Sequence, residues 1–271
     1  MSEKKGKFIT IGQIDMTGVI GPHEKELRAI LKKKIKHFKE PSYTMIKNIV
    51  EKDIGGTLDN IGFNEDWTMT LKLFPEVNIH ILYFYYGDEF SDIYAELKIL
   101  LSGKRAYLIP GEDLATYIEI IIQFFKKNSK NKETMDQDYN KKSDLLLKAF
   151  EQRKSPFKFL EEENILELKK FLGADIKKNS TEWRFKKEIF PEIFIEILYS
   201  INDDKLDISY SGRNQKKIDR YHIELIGIFI INHILRYITI NNQGKELPNI
   251  CYMMFSRLFS KEKGWIYRNL F

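Results

Sequence analysis

Apolar and polar residues alternate along two stretches of the chain, 67–85 and 183–199, and a Phe-Pro-Glu sequence interrupts each alternation. A period of two is typical of a strand with one buried face. Proline cannot donate a hydrogen bond to a neighbouring strand and favours turns, so each Pro-Glu pair is expected at the tip of a hairpin. The pattern therefore predicts two β-hairpins, which begin at Trp67 and Trp183.

The two hairpins belong to an internal repeat. The 22 residues from Trp67 (WTMTLKLFPEVNIHILYFYYGD) match those from Trp183 (WRFKKEIFPEIFIEILYSINDD) at nine positions, with a spacing of 116 residues (183 − 67). Average residue usage gives roughly one or two matches by chance. A third apolar strand follows in each copy, at 93–97 and 206–210. The sequence thus predicts an α+β protein of two tandem, pseudo-symmetric repeats, each a small antiparallel sheet covered by helices.

Apolar residues at helical spacing predict the helices around these hairpins. Residues 22–39 place Leu27, Leu31 and Ile35 on one side and most of their lysines elsewhere, which indicates one amphipathic helix. Ser42 is predicted to cap a second helix that ends at Gly55. Further helices are predicted at 110–125, 145–150, 165–171, 219–238 and 250–259. Each repeat is therefore expected to contain a buried helix after its third strand.

A polar stretch separates the two copies. Residues 126–144 (KKNSKNKETMDQDYNKKSD) have little apolar surface to contribute to a core, so they are predicted to form a linker. We expect a first repeat with a basic N-terminal helix at 1–125 and a second repeat at 145–240. Residues 241–271 are predicted to form a C-terminal helical extension that has no counterpart in the first repeat.

Positive charge is concentrated near the N-terminus. The chain has 44 Lys and Arg against 39 Asp and Glu, a net charge of +5, and residues 1–41 hold ten basic and five acidic residues. Lys32, Lys33, Lys34 and Lys36 form a basic helix face, which is either solvated or able to contact phosphates. Weak, sequence-independent nucleic-acid binding through this face is one alternative function.

Cysteine usage and apolar runs bear on the compartment. Cys251 is the only cysteine, which excludes a disulfide within this chain and makes Cys-rich metal sites unattainable. The N-terminal residues have lysines and no apolar run typical of a signal peptide. The longest apolar runs are far shorter than the roughly 20 residues of a membrane span. A soluble, cytoplasmic protein is therefore expected.

Candidate binding residues cluster at the end of the predicted strand 77–85. Asp88 and Glu89 follow it at a turn, where they could bind a cation, an amine or an arginine of a partner, or simply cap the strand end. Phe84 and Tyr86 share one face of the strand and could stack on a planar ligand or pack under the second repeat. His80 lies on the same face and is expected to pair or face solvent, because no nucleophile pattern accompanies it.

The region 54–125 contains a distinctive set of turn, acidic and apolar residues: Phe74, Pro75, Gly87, Asp88, Glu89, Phe90, Leu108, Glu112 and Asp113. With these residues the region resembles domain of unknown function 3786, a bacterial and archaeal family. Its members have a Leu/Phe-Pro turn, a strand that ends in an acidic Gly-Asp-Glu motif, and a helix that starts with Glu-Asp. The chain has Ser91 where the family has proline, its second copy keeps only Asp204 and Glu224-Leu225 of these motifs, and it lacks the Cys-rich segments of some members. The family has no assigned activity, so the resemblance implies a fold and no function.

The sequence favours binding over catalysis. It contains no GxGxxG, GxxxxGK[ST], HExxH, GxSxG or CxxC motif, and no cofactor or metal site is predicted. We therefore expect a non-catalytic cytoplasmic binding protein that holds a ligand or protein partner in the cleft between the two repeats. The alternatives are nucleic-acid binding through the basic helix and an enzyme that uses Asp88 and Glu89 with His80.

Overall fold

The computed structural model describes residues 8–15, 21–87, 94–129 and 137–255. The chain divides into two compact units, Met1–Lys132 and Glu133–Phe271. Each unit contains one four-stranded antiparallel sheet together with helices. The predicted α+β class with two tandem repeats is confirmed.

Unit 1 begins with helices, continues with the sheet and ends on a long helix. The early helices are α1 (Ile11–Ile14), α2 (Pro22–Lys34), α3 (Lys36–Lys39) and α4 (Tyr43–Asn48), and α4 continues as a π-helical segment, Ile49–Ile54. The strands lie side by side in the order β1 (Thr57–Asp59), β2 (Trp67–Phe74), β3 (Val77–Tyr85) and β4 (Ala95–Ser102). A 3₁₀ turn, Ala106–Leu108, then leads into α5 (Gly111–Ser129).

Unit 2 has the same order of elements. It begins with α6 (Asp144–Arg153), two 3₁₀ turns (Ser155–Phe159 and Glu162–Asn164) and α7 (Ile165–Leu172). Its strands lie in the order β5 (Asp175–Lys178), β6 (Glu182–Phe190), β7 (Ile193–Ser200) and β8 (Lys205–Ser211). A 3₁₀ turn, Gln215–Lys217, is followed by α8 (Arg220–Asn241) and α9 (Asn249–Met253).

The two tryptophans occupy equivalent positions in the two hairpins. Trp67 pairs with Tyr83 across β2 and β3, and Trp183 pairs with Tyr199 across β6 and β7. Both tryptophans are buried. Trp67 is the first residue of β2 and Trp183 is the second residue of β6. The turn that follows contains a glutamate with positive φ in both units, 60° at Glu76 and 62° at Glu192. The predicted hairpins and their tips at Pro-Glu are therefore confirmed.

A close approach of two chain segments fixes a glycine behind each hairpin tip. At Gly103, with φ +107°, an added Cβ would lie 2.0 Å from the carbonyl oxygen of Glu76. At Gly212, with φ +115°, it would lie 2.1 Å from the carbonyl oxygen of Glu192. These glycines are 109 residues apart (212 − 103), because the connection between β3 and β4 is longer than that between β7 and β8. Positions in β4 and β8 therefore correspond at a spacing of 109 residues.

Several elements differ from the sequence-based expectations. The helix predicted at 22–39 is divided at Ile35 into α2 and α3, and the short strands β1 and β5 were not predicted. Helix α5 continues to Ser129, so the first residues of the predicted linker are helical. Of the predicted C-terminal extension, the described part contains α9, and residues 256–271 lie outside the described residues.

Helix α8 is the most apolar helix of unit 2. Among the described residues it is the one helix long and apolar enough to cross a membrane, with a mean hydropathy of 1.6 over its best stretch. The protein buries 83% of that stretch. An apolar helix buried by protein on nearly all sides is typical of a domain core, and α8 fits this description.

Candidate functional site

Strand β4 forms an edge of the sheet in unit 1. In an antiparallel pair, the backbone groups of successive residues point alternately toward the partner strand and away from it. Leu101 exchanges two backbone hydrogen bonds of 2.9 Å with Ile9 on the side away from β3. The N–H and C=O groups of Ile99 and Leu97 therefore also point away from β3. No described residue forms a backbone hydrogen bond to them on that side.

A cavity of about 120 Å³ lies along this part of β4. One wall is formed by residues 96–100 of β4 and the other by α2, and Thr10 and Ile11 also line the cavity. Its apolar side chains include Leu27 and Leu31 of α2, both of them nearly inaccessible to solvent. We call this cavity the edge groove. It places unpaired backbone groups of a strand opposite an apolar helix face.

The rim of the edge groove is polar, and its charges are paired. The Arg28 guanidinium lies 2.8 Å from Glu24 on α2, and the Lys98 ammonium lies 3.4 Å from Glu96 on β4. Such exposed pairs contribute little to stability. Their importance here is that the middle of the groove has no net charge.

Phe84 and Tyr86, predicted from sequence as ligand-stacking residues, contact this rim. The Lys98 ammonium lies 4.7 Å above the Phe84 ring, and the Tyr86 hydroxyl donates a 2.9 Å hydrogen bond to Glu96. Burial and the neighbouring Glu96 carboxylate raise the pKa of Tyr86. Phe84 is buried and Tyr86 is exposed. The two rings therefore help to position the β4 side chains that line the groove.

His80 does not line the groove; it is buried on the outer face of the sheet, opposite Leu100. Its Nδ1 is 2.9 Å from the Thr70 hydroxyl and its Nε2 is 2.8 Å from the Ser102 hydroxyl. The Phe8 ring packs edge-on against it at 5.1 Å. Burial lowers the pKa of His80 to about 4. The ring is therefore neutral at pH 7.

The contact between His80 and Ser102 has the distance of a base and its nucleophile, which sequence reasoning missed because the two residues lie on different strands. A base with a pKa far below the working pH accepts a hydroxyl proton poorly. Both ring nitrogens are also held by hydroxyl groups. This geometry favours a polar network that stabilises the sheet. Asp88 and Glu89, the predicted partners of His80, lie outside the described residues.

Glu65 is a second buried polar residue that sequence reasoning did not identify. Its carboxylate accepts hydrogen bonds from the backbone N–H groups of Ile61 and Phe63 and from the Thr68 hydroxyl. Burial raises the pKa of Glu65, but the hydrogen bonds that it accepts lower it by more, so the net shift is downward. The loop ordered in this way places the Phe63 ring against Phe8 at 5.4 Å. This arrangement stabilises the loop that leads into β2.

The lysines predicted as a basic face lie at one end of the edge groove. Lys32, Lys33 and Lys34 are in the last turn of α2, and Lys36 begins α3. None of the four forms an ion pair with a residue that the structure describes. Three are exposed and Lys34 is half-buried. They form a cluster of lysines with no ion-pair partner among the described residues, which we call the lysine cluster.

The corresponding edge amide in unit 2 has a hydrogen-bond partner. Ile208, 109 residues after Ile99, donates its backbone N–H to the Asp207 carboxylate at 2.6 Å. Asp207 is in turn paired with the Lys142 ammonium. Lys98 occupies the position equivalent to Asp207 in unit 1. A carboxylate therefore satisfies the edge amide in unit 2, whereas the same amide faces a cavity in unit 1.

We find no match between the chain and any protein-family model, curated protein or solved structure. The resemblance to domain of unknown function 3786 therefore stays a prediction. Within the residues that the structure describes, no group of three or more His, Cys, Asp or Glu side chains could hold a metal ion. The functional conclusion depends on the geometry of the described residues.

Proposed function

We propose that the protein is a binding protein whose first unit captures an extended segment of a partner protein in the edge groove. The observation that carries this proposal is the pair of β4 residues, Leu97 and Ile99, whose outward backbone groups face a cavity walled by α2. Extended peptides add to sheet edges in this way. Backbone hydrogen bonds then supply affinity, and pockets for alternate side chains supply specificity.

The chain itself supplies an example of such pairing on the same edge. Ile9 is 2% exposed and forms both backbone hydrogen bonds with Leu101. Thr10 then caps α1 by accepting a hydrogen bond from the Gln13 N–H, so the chain leaves the edge before it reaches Ile99. A partner segment in the groove would continue the pairing from the point where the chain turns away.

The walls of the groove indicate the kind of segment that fits. Leu27 and Leu31 line one side of the groove, with only 2% and 3% of their surface exposed. Because strand side chains alternate, every second residue of the partner would face these leucines and should be aliphatic. Residues 96–100 can lie beside about five partner residues, a length of roughly 16 Å, and only Leu97 and Ile99 would form backbone hydrogen bonds to them. An interface of this size is small, so we expect dissociation constants of the order of 1–100 µM.

Substitution of Ile99 by proline tests the proposal directly. Ile99→Pro removes the outward N–H, and the bonds between β3 and β4 remain because they use other residues. We expect binding of labelled peptides with alternating Val or Ile, measured by fluorescence anisotropy, to weaken at least tenfold, the equivalent of about 1.4 kcal/mol.

The matched control is Ile208→Pro, which removes the equivalent amide in unit 2 and should leave peptide affinity unchanged. Far-ultraviolet circular dichroism of both variants establishes that each remains folded. Binding that persists in a folded Ile99→Pro variant would contradict the proposal.

A second candidate function, nucleic-acid binding, is supported by the lysine cluster. Lys32, Lys33, Lys34 and Lys36 have no ion-pair partner among the described residues. Four lysines without base-reading neighbours give only weak, salt-sensitive affinity, so we expect little binding to oligonucleotides at physiological salt. Submicromolar, sequence-selective binding at 0.2 M salt would favour this function, as judged by titration with labelled strands at roughly that ionic strength.

The expectation of a ligand in the cleft between the repeats stays a prediction. So does an enzyme that uses Asp88 and Glu89 with His80. Capture of a small molecule during native purification, detected by mass spectrometry, would favour the cleft. Labelling of Ser102 by a fluorophosphonate would favour a catalytic function, because only an activated hydroxyl reacts readily.

A further inference from the structure

We infer that the partner segment enters the edge groove antiparallel to β4 and carries acidic residues directly after its aliphatic part. This inference rests on the proposed function, and it adds the direction and the charge pattern of the bound segment. It follows from three features of unit 1: the pairing of Ile9, the direction of α2, and the location of the lysine cluster.

The direction of the bound strand follows from the strand already on the edge. Ile9 pairs antiparallel with Leu101, and the chain passes from there toward Leu100. Antiparallel pairing is also slightly more stable per residue than parallel pairing. A segment that continues this strand therefore runs along β4 from Leu100 toward Glu96, and its C-terminal end leaves the groove near the start of β4.

Helix α2 runs antiparallel to β4. At its N-terminal end, His23 Nδ1 lies 2.9 Å from Asp15, just after α1 and close in sequence to the Ile9 strand. Beyond its C-terminal end, the Lys39 ammonium lies 4.8 Å above the ring of Tyr94, the residue before β4. The C-terminal end of α2 and the first residues of β4 therefore lie at the same end of the groove.

Charge differs sharply between the middle and this end of the groove. In the middle, Glu24 is paired with Arg28, and Glu96 is paired with Lys98. At the end, Lys32, Lys34 and Lys36 have no carboxylate partner among the described residues. Lysines are favourable beside the carbonyl groups at a helix C-terminus, and they leave their ammonium groups in solvent. Acidic residues of a partner that emerge from the groove at this end would lie beside the lysine cluster.

Three peptides test the inference. All contain the same five-residue segment with alternating Val or Ile; one has three acidic residues after it, one has them before it, and one has serines at both ends. At low salt we expect the first peptide to bind about tenfold more tightly than the other two. The triple variant Lys32→Glu, Lys34→Glu, Lys36→Glu should remove this preference and leave the serine peptide unaffected.

A matched control changes three exposed lysines of unit 2 to the same net charge. Lys148→Glu, Lys177→Glu and Lys205→Glu should preserve the preference for the first peptide. This control separates local contact from long-range attraction, because both triple variants alter the total charge equally.

The outcomes distinguish the inference from the proposed function. If all three peptides bind equally, the inference fails and the groove remains a peptide site. If the peptide with leading acidic residues binds best, the direction is parallel and the inference is overturned. If no peptide binds, the proposed function fails. If the lysine variant abolishes tight oligonucleotide binding instead, the lysine cluster belongs to a nucleic-acid site.

Discussion

The last strands of the two sheets, β4 and β8, occupy the same place in their sheets and differ at the outer edge. In β8, Asp207 accepts the N–H of Ile208 and is paired with Lys142. In β4, Lys98 stands at the position of Asp207 and the N–H of Ile99 faces the edge groove. Exposed edges invite pairing with other chains, and proteins often block them with charged groups. The two copies therefore share their framework, but this edge amide has a carboxylate partner in one copy and faces a cavity in the other.

The outer faces of the two sheets show a parallel divergence. On the first sheet, His80 is buried between two hydroxyl groups. On the second, the equivalent residue is Glu196, which accepts a 2.9 Å hydrogen bond from the Arg184 guanidinium in a partly exposed ion pair. This position is buried and neutral in one copy and forms a partly exposed ion pair in the other, so the two outer faces differ in polarity here.

The largest expected effect concerns what the two repeats share. Trp67→Ala and Trp183→Ala should each destabilise the protein by about 3–5 kcal/mol, because each removes a buried aromatic ring and leaves a cavity. Urea denaturation followed by circular dichroism measures both. A cost below about 1 kcal/mol for either variant would show that the two positions are not energetically equivalent.

The next effect concerns the glycines behind the hairpin tips. Gly103→Ala and Gly212→Ala should each cost about 2–3 kcal/mol, since positive φ is strained for alanine and the added Cβ would lie within 2.1 Å of a carbonyl oxygen. Gly87→Ala is the control, because its φ of +103° is similar but nothing lies within 4 Å of the added atom. It should cost about 1 kcal/mol, as measured by thermal unfolding.

The third effect is the pH dependence of stability that His80 contributes on the outer face of the first sheet. Above pH 6.5 the His80 ring is neutral in both folded and unfolded chains, so its contribution is constant. Below this pH the unfolded ring takes up a proton, while the folded ring resists until about pH 4. Stability should therefore fall between pH 6.5 and 4 by about 2 kcal/mol from this residue, a value reduced for partial screening.

Urea denaturation of His80→Gln at pH 7 and pH 4.5 measures this contribution. The variant should lose less stability on acidification than the unaltered protein, because glutamine does not titrate. His222→Gln is the control, because it removes a half-buried histidine of unit 2 that does not contact His80. An identical pH dependence in the unaltered protein and in His80→Gln would contradict the burial argument.

The smallest effect concerns the backbone amide of Ile208 at the edge of the second sheet. Asp207→Ala removes the acceptor of the Ile208 N–H and should speed its hydrogen exchange about five- to tenfold, the loss of one hydrogen bond of about 1 kcal/mol. Nuclear magnetic resonance measures the exchange of this amide and of the Ile99 amide together. In the unaltered protein we expect Ile99 to exchange faster, and equal rates would remove the distinction between the two edges.

The sequence by itself determined the elements whose signals are local. Alternation and a Pro-Glu turn predicted both hairpins and the equivalence of Trp67 and Trp183, because period and turn chemistry act over a few residues. The serine cap and glycine end of the α4 segment were likewise readable, since Ser42 accepts the Met45 N–H and Gly55 has a φ of 76°. Strands as short as β1 and β5 give too few residues for a pattern, so they were missed.

The tertiary structure alone decided the candidate site. Lys98 and Asp207 are visible in the sequence, but their equivalence depends on a register that the longer β3–β4 connection hides. The edge groove exists because α2 packs beside β4, and the contact of His80 with Ser102 exists because β3 and β4 pair. These are contacts between residues far apart in sequence. Local periodicity carries no information about them, because they are fixed by how whole elements pack.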